Sequence, residues 1–372
     1  MEPTERGRHA LIITYTVLDP AVMGVFFRAL RLTLELHRRG WSTTICNFGP
    51  IPIDPKVTRV RELARVVEID FRATLTNFNP PLGIPGGAAG IAKYLSAFEP
   101  DVVIFGEGPL GGLKPVFEAA NAMPQPLVLL EQYYGDWLMT RDILGDLVLV
   151  YGLKCFWADQ LPLPAPFMMV PPFIGELLPR DQLPVPAHAA PWLTVLGFEP
   201  RVLRAGLEIA RQCEAVLVSL SHDPELARRL AAEAGVAIVA LPLQPDTILF
   251  SLIRHSRCVV LANGMMQLME ALSLGCPAVC IHRGGGLDAF MVDERFQPYV
   301  SIEDSLEDQV KKVRGWLKAS PFSAELLTQL DRERNGAAQC VDVIERVHEF
   351  PARRRPTFWR KLASKLRSRE AR

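Results

Sequence analysis

The sequence predicts an α/β protein built from two doubly wound, Rossmann-like parallel-sheet domains that face each other across a cleft. Short apolar runs alternate with amphipathic helical patterns along the chain, which is typical of successive βαβ units. The chain has 372 residues, which is long for one hydrophobic core and favours two domains. A proline-rich stretch lies between two series of alternating elements, and we expect the domain boundary there.

The first series begins with ALIITYTV at residues 10–17, a predicted buried strand. After the loop LDPAVMG, an amphipathic pattern predicts a helix from Val25 to Arg39 that ends before Gly40. The run WSTTICNF is the next strand, so the opening unit is β-α-β and predicts a parallel sheet. DVVIFGEG and LVLLEQYY are later strands whose carboxyl ends face a binding crevice. These elements assign residues 8–165 to an N-terminal Rossmann-like domain.

Nine prolines fall within residues 161–191. Neither a helix nor a central strand tolerates that density, so residues 166–191 are predicted to form an irregular linker. Strands and helices alternate again over residues 192–350, the predicted C-terminal domain. One of its helices has a capping aspartate at Asp223 and a stop at Gly235. Two further helices are predicted over residues 305–318 and 323–349.

The composition excludes several classes of protein. The formal net charge is zero, which argues against nucleic acid as a partner. The seven cysteines are scattered without a CxxC pair, which favours a reduced, cytoplasmic protein without a metal site. The N-terminus does not have the pattern of a signal peptide, and no apolar run approaches the roughly 20 residues of a membrane-spanning helix.

The C-terminal tail, residues 351–372, carries nine Lys and Arg residues against one Glu. Aromatic and aliphatic residues recur along it at helical spacing. One interpretation is an amphipathic segment that binds anionic lipid on the inner face of the membrane. The alternative is a solvated basic tail with no partner.

The stretch LANGMMQLMEALSLG, residues 261–275, is the strongest candidate for a binding site. Asn263 and Gly264 follow a predicted strand, and a helix begins at Met265. The free N–H groups and the dipole of such a helix favour an anion such as pyrophosphate, and glycine lets a phosphate oxygen approach the backbone. Gln267 and Glu270 lie three residues apart on one helical face. A carboxylate there suits two vicinal hydroxyls, as on ribose; the alternative is an ordinary packed helix with Glu270 in solvent.

Residues 239–281 resemble the C-terminal half of the GT-B glycosyltransferases. The resemblance is greatest to the branch that holds the lipid-linked N-acetylglucosaminyltransferase of peptidoglycan synthesis and the natural-product and plant glycosyltransferases. The order of elements extends it over residues 190–350. The residues that carry it are Gln244 and Asp246 in the loop before a helix, the strand RCVVLA, Asn263-Gly264, Glu270-Ala271-Leu272, Gly275 and Pro277.

This resemblance implies a set of donor-binding residues. The turn from Asn263 to Gln267 would bind the donor diphosphate and Glu270 the ribose, while a loop after the next strand would contact the transferred sugar. The chain departs from the family pattern at Gln267, where Ser or Thr is usual, and at Phe198 of the phosphate loop, where Ser is usual. The full donor-binding set implied by the resemblance is Gly197, Phe198, Gln244, Asn263, Gly264, Met265, Met266, Gln267, Glu270, His282, Arg283 and Asp288.

The resemblance also points to the position of a catalytic base. An inverting enzyme needs a base that deprotonates the acceptor hydroxyl, and many relatives hold it in a Gly-rich, His-containing loop where this chain has TVLDPAVMG. Asp19 is the ionisable residue of that loop and is the candidate base; its alternative role is a helix cap. Gly24 ends the same loop, and Glu107 and Glu131 are expected on neighbouring crevice loops. These three are the candidate acceptor-side residues.

The spacing of glutamates favours inversion over retention. Many retaining GT-B enzymes have a second glutamate eight residues before the ribose ligand, and here that position is Ala262. Aromatic residues near the ends of the N-terminal strands favour a lipid or aromatic acceptor. They are Phe26, Phe27, Phe71, Phe78, Tyr133, Tyr134 and Trp137, and some of them are expected to belong to the core.

The expected function is therefore an inverting, metal-independent glycosyltransferase. It would move a sugar from a UDP- or dTDP-linked donor to an acceptor hydroxyl, for which a lipid or a cell-envelope glycan is the candidate acceptor, without a resident cofactor. Two alternatives stay open. Sugar-nucleotide 2-epimerases of the same fold have adjacent glutamates where this chain has Met269-Glu270, and a non-catalytic GT-B protein would bind a nucleotide or partner without turnover.

Overall fold

The computed structural model describes residues 7–18, 21–22, 24–69, 73–74, 77–78, 87–106, 114–132, 146–153, 167–186, 191–196, 199–262, 265–281, 296–302 and 305–349. Within these ranges, no helix combines the length and the apolarity needed to cross a membrane.

The N-terminal half forms a parallel sheet flanked by helices. Its strands and two small hairpins are β1 (His9–Tyr15), β2 (Val17–Leu18), β3 (Ala21–Val22), β4 (Ser42–Phe48), β5 (Arg65–Ile69), β6 (Ala73–Thr74), β7 (Asn77–Phe78), β8 (Val102–Phe105), β9 (Leu127–Gln132), β10 (Leu147–Tyr151) and β11 (Phe167–Val170). Its helices are α1 (Gly24–Arg38), α2 (Pro55–Arg61), α3 (Gly87–Ser96) and α4 (Lys114–Ala122). The sheet order is β11-β10-β9-β8-β1-β4-β5.

The C-terminal half forms a second parallel sheet. Its strands are β12 (Trp192–Leu196), β13 (Val216–Leu220), β14 (Ile238–Leu241), β15 (Cys258–Leu261), β16 (Ala278–Cys280) and β17 (Val300–Ser301). Its helices are α5 (Pro200–Cys213), α6 (Pro224–Ala234), α7 (Asp246–His255), α8 (Met265–Ser273), α9 (Leu306–Lys318), α10 (Ala324–Glu333) and α11 (Gly336–Ile344). The sheet order is β14-β13-β12-β15-β16-β17.

Both sheets reverse their strand order at one point. The reversal lies between β1 and β8 in the first sheet and between β12 and β15 in the second. Ligands of open α/β sheets bind at the carboxyl ends of the strands on either side of such a reversal. The predicted class of two doubly wound parallel sheets is confirmed.

The hydrophobic core joins the two halves. One cluster of buried side chains contains Leu32 of α1, Leu149 of β10, Leu272 of α8 and Val341 of α11. The outer face of each sheet has a cluster of its own. Because parallel strands are covered on both faces, their sequences are nearly continuous apolar runs.

Several predicted element boundaries are confirmed in detail. Asp223 caps α6, with its side chain accepting a hydrogen bond from the Leu226 N–H at 2.9 Å. Gly235 ends that helix in the left-handed region at φ 67°. Four residues of the predicted linker form β11, which is an edge strand of the first sheet. An edge strand has a neighbour on one side only, so prolines that flank it do not remove a backbone N–H that the sheet requires. The exact domain limits stay a prediction.

The single helix predicted over residues 323–349 is wrong. The segment forms α10 and α11, which are separated at Asn335. Asn335 forms a β-bridge with Phe173, and the backbone of Gly336 lies so close to Pro171 that a Cβ would overlap its carbonyl. The chain therefore interrupts the helix to accommodate a backbone contact that its periodicity does not show.

Candidate functional site

The strands β12 and β15 bring two predicted loops to one point of the second sheet. Leu196 and Leu261, the last residues of these strands, are paired neighbours. The predicted phosphate loop at residues 197–198 and the turn at residues 263–264 follow them directly. These four residues lie outside the described part of the chain, but the strands that lead into them end side by side where the order reverses.

The first turn of α8 faces the N-terminal half of the protein. Met265 is its first residue, and the side chain of Met266 is buried. A Cβ added to Gly24, the first residue of α1, would lie 3.3 Å from Cε of Met266. A predicted donor-side residue and a predicted acceptor-side residue are thus in contact across the domain interface. Gln267 follows and is half-buried.

Glu270 is buried in this interface and does not face solvent. It is only 3% exposed, and its Oε1 accepts a hydrogen bond from Nη1 of Arg31 on α1. The Arg31 guanidinium also holds Asp246, the first residue of α7, through two hydrogen bonds. Nε lies 2.8 Å from Oδ2 and Nη2 lies 3.3 Å from Oδ1. One arginine of the N-terminal half therefore bridges two carboxylates of the C-terminal half.

A lysine completes this group. Lys56 Nζ, on α2, lies 2.9 Å from Oδ1 of Asp246. We refer to Arg31, Lys56, Asp246 and Glu270 as the interface charge cluster. It contains two cations and two carboxylates, and the cations come from one half of the chain and the carboxylates from the other. The Arg31 guanidinium also stacks over the ring of Phe250, 4.7 Å from its centroid.

The two carboxylates of the cluster have opposite pKa shifts. Burial works to raise the pKa of Asp246, but Arg31 and Lys56 outweigh it and hold that pKa well below its usual range. Burial raises the pKa of Glu270, and Arg31 offsets this only in part. Asp246 is ion-paired with two cations, whereas Glu270 is more deeply buried, is ion-paired with Arg31 and is also repelled by the charge of Asp246. The pKa of Arg31 is raised: burial works to lower it, and the two carboxylates outweigh that effect.

A second arginine lies one helical turn before Arg31. The buried Arg28 donates to the carbonyl of Gly106, after β8, and to that of Leu130 in β9 at 3.3 Å. It therefore ties α1 to the carboxyl ends of two strands. Its guanidinium also lies 5.5 Å from the ring centroid of Tyr151.

Tyr151 lies at the end of β10, within electrostatic reach of the interface charge cluster. Its pKa is raised by burial and by the negative charge of Glu270. Its hydroxyl accepts a hydrogen bond from the Phe173 N–H at 3.4 Å. Tyr151 is thus a buried phenol whose pKa is affected by the charge of Glu270.

The two cations of this site, Arg31 and Lys56, were not among the residues predicted from the sequence. One signal was available, because Arg28 and Arg31 stand three residues apart on the apolar face of the helix that begins at Gly24. All but a few positions of that face are aliphatic or aromatic, and both arginines are buried. Buried arginines are rare unless paired, so their position on this face indicates buried partners.

Two other predicted residues have different surroundings from those expected. Glu131 was expected on a crevice loop, but it lies within β9, one residue before the strand ends, and is 3% exposed. Gln244 turns back on its own loop, where its amide donates to the carbonyl of Pro242 at 2.9 Å. Among the aromatic residues named for the acceptor side, of which some were expected in the core, Phe26 is fully buried there.

The other predicted site residues lie outside the described part of the chain, and their roles stay predictions. They are Asp19, Glu107, Gly197, Phe198, Asn263, Gly264, His282, Arg283 and Asp288. Within the described ranges, no group of three or more His, Cys, Asp or Glu side chains is placed to hold a metal ion.

The architecture recurs among solved structures, although neither a protein-family model nor a curated protein matches the chain. CalG4, the calicheamicin glycosyltransferase, superposes with a TM-score of 0.60 at 17% identity, covering 94% of this chain and 100% of its own. MurG of Acinetobacter baumannii has a TM-score of 0.59 at 17% identity, covering 91% of this chain and 99% of its own. The chain has the GT-B fold.

The GT-B fold is not confined to one activity. A Listeria monocytogenes protein described as a UDP-N-acetylglucosamine 2-epimerase matches with a TM-score of 0.56 at 13% identity, covering 91% of this chain and 96% of its own. At these identities the similarity shows the fold alone.

Proposed function

We propose that the protein is an inverting, metal-independent glycosyltransferase that moves a sugar from a UDP- or dTDP-linked donor to an acceptor hydroxyl. The observation that carries this proposal is the position of Glu270. Its carboxylate lies on α8, the helix that follows β15 at the reversal of strand order, and it faces the other domain. A nucleotide bound at that reversal would bring its ribose to this helix.

The charges around the interface suit a diphosphate leaving group. Both α1 and α8 begin at the interface, where Gly24 meets Met266, and helix N-termini favour anions. Arg31 and Lys56 lie in the same interface, but Asp246 and Glu270 already neutralise their charges. The fixed dipoles of the two helices are therefore the groups that would stabilise the charge that develops on a leaving diphosphate, which supports transfer without a metal ion.

Asp19 is the proposed base. It lies on the connection between β1 and α1, between the short strands β2 and β3, whose residues Leu18 and Ala21 are paired. In the proposed step, its carboxylate takes the proton of the acceptor hydroxyl as the acceptor oxygen forms a bond to the anomeric carbon. The bond from that carbon to the diphosphate breaks on the opposite face, and the nucleoside diphosphate leaves with the electron pair.

The acceptor class rests on the sequence alone. The basic tail at residues 351–372 supports a contact with anionic lipid on the inner face of the membrane, and with it a lipid-linked acceptor. Vesicles with and without phosphatidylserine would test this contact directly. Deletion of the tail should abolish binding to the anionic vesicles, and tail-independent binding would refute the proposal.

The donor site is tested with full-length protein and nucleotides alone. Hydrogen bonds to a charged group contribute about 1.5–3 kcal/mol each, and 1.4 kcal/mol corresponds to tenfold in affinity. In an Arg31→Met background, where no ion pair competes for the carboxylate, Glu270→Gln should therefore weaken UDP or dTDP binding about tenfold or more by calorimetry. The matched control is Glu225→Gln on α6, whose exposed carboxylate pairs within its own helix, with Arg228. Equal nucleotide affinity in Arg31→Met and in the double variant Arg31→Met, Glu270→Gln would contradict the assignment.

Turnover distinguishes transfer from the two alternatives. The 2-epimerase candidate is supported by the match to the Listeria protein. Its expected second glutamate would stand at position 269, where a Met side chain is 1% exposed and packed in the core. Sugar nucleotides incubated in D₂O would gain deuterium at C2 only under epimerase activity. Release of nucleoside diphosphate with transfer supports the proposed function, and nucleotide binding without either reaction supports a non-catalytic protein.

A further inference from the structure

The ion pair between Arg31 and Glu270 occupies the carboxylate that the proposed function gives to the ribose. The side chain of Glu270 is 4% exposed and that of Arg31 8% exposed. Two vicinal hydroxyls cannot approach a carboxylate that is this deeply buried and already accepts from a guanidinium. In this structure the proposed donor site is therefore closed by a side chain of the opposite domain.

The closure extends to the first turn of α8. The Met266 side chain is buried and lies against Gly24, so a diphosphate at this helix N-terminus would meet α1. The two contacts, Gly24 with Met266 and Arg31 with Glu270, lie along the same pair of helices. Both obstruct the same ligand, and both would be relieved if α1 and α8 moved apart.

We infer that the Arg31–Glu270 ion pair is an autoinhibitory interdomain contact that a nucleoside diphosphate must break in order to bind. This inference rests on the proposed function, because it takes Glu270 as the ribose ligand. Arg31 does not become an unpaired cation when the contact breaks. Asp246 holds it through two hydrogen bonds and is itself held by Lys56 at 2.9 Å. Glu270 has one cationic partner among the cluster residues, so it is the carboxylate that the nucleotide exchanges.

A second set of ion pairs joins α1 to the C-terminal half and serves as a control. Nη1 of Arg39, the residue after α1, lies 2.7 Å from Oδ1 of Asp342 and 3.2 Å from Oε2 of Glu345. Asp342 lies in α11, and Glu345 is the residue that follows this helix. These pairs are partly exposed and lie at the other end of α1 from Gly24. They should contribute to the interface without obstructing α8.

Nucleotide affinity distinguishes an obstructing contact from a purely structural one. If the ion pair competes with ribose, Arg31→Met should lower the Kd for UDP or dTDP by about tenfold. The reason is that the nucleotide would no longer have to break the Arg31–Glu270 ion pair before it binds. Arg39→Met should leave the Kd unchanged. Arg31→Gln, which can keep one hydrogen bond to Asp246, provides a second variant if Arg31→Met does not fold. An unchanged or raised Kd in the Arg31 variants, with normal binding by the wild type, would overturn the inference and leave the proposed function intact.

Movement of the helices can be tested in a chain that keeps Arg31. A Cβ at position 24 would lie 3.8 Å from Cβ of Met266, which is within the range of disulfide bonds. The double variant Gly24→Cys, Met266→Cys should therefore cross-link on mild oxidation, with each single variant as its control. Saturating UDP or dTDP should slow cross-linking about tenfold or more by holding the helices apart.

The two experiments together distinguish the possible failures. Cross-linking at the same rate with bound nucleotide would show that α1 and α8 do not separate, which overturns the inference. Absence of nucleotide binding in the wild type and in both Arg31 variants would overturn the proposed function and this inference with it. Tighter binding by the Arg31 variants, together with nucleotide-dependent protection from cross-linking, is the expected result.

Discussion

Replacement of Arg31 by Met should be among the most destabilising single changes at the domain interface. It removes three hydrogen bonds, one to Glu270 and two to Asp246, and leaves Glu270 buried without its cation. Removal of one partner of a buried ion pair costs about 3–5 kcal/mol. Glu270→Gln leaves the contacts between Arg31 and Asp246 in place and should cost about 1–3 kcal/mol. In the double variant the unpaired charge is gone, so its cost should be below the sum by about 2 kcal/mol.

Urea titrations followed by far-UV circular dichroism measure these free energies of unfolding. We expect one transition, because a single hydrophobic cluster packs against both sheets. The control cycle is Arg39→Met with Glu345→Gln, a partly exposed pair at 3.2 Å, whose coupling should stay below about 1 kcal/mol. Additivity within about 0.5 kcal/mol for Arg31 and Glu270 would refute the pairing of these side chains.

Three further changes test other parts of the structure. The pKa of Asp246 is held below its usual range, so its ion pairs stabilise the fold fully above the unfolded pKa of about 3.9, and this stability is lost as the pH falls through the lower folded pKa. Asp246→Asn should flatten the fall of unfolding free energy from about pH 4 downward, and equal slopes in the two proteins would contradict this. Asp223→Ala removes the cap that accepts from Leu226 and should cost about 0.5–2 kcal/mol by urea titration, whereas no loss would show that the cap is dispensable. Gly336→Ala would place a methyl group on the Pro171 carbonyl, which should cost about 1–3 kcal/mol and lower the midpoint of thermal unfolding by several degrees. An unchanged midpoint would show that α10 and α11 can shift apart.

The strands and most helix ends could be predicted from local sequence for a clear physical reason. A parallel strand covered on both faces requires a run of apolar residues, as in CVVL at residues 258–261, and such a run is readable without tertiary contacts. Caps such as Asp223 act within one turn of their own helix. The break at Gly336 could not be predicted, because it depends on the Pro171 backbone far away in the chain.

The candidate site shows the same division. The position of Glu270 after a strand–turn–helix junction is readable from residues 258–270 alone, because an apolar run, a glycine and the helical pattern that follows are local features. Its contact with Arg31, which is 239 residues away in the chain, depends on how the two halves pack at the domain interface. An ion pair between helices that flank two different sheets depends on how those helices pack, and no local periodicity records that arrangement. The sequence therefore identified the carboxylate, and the packing of α1 against α8 identified its partner.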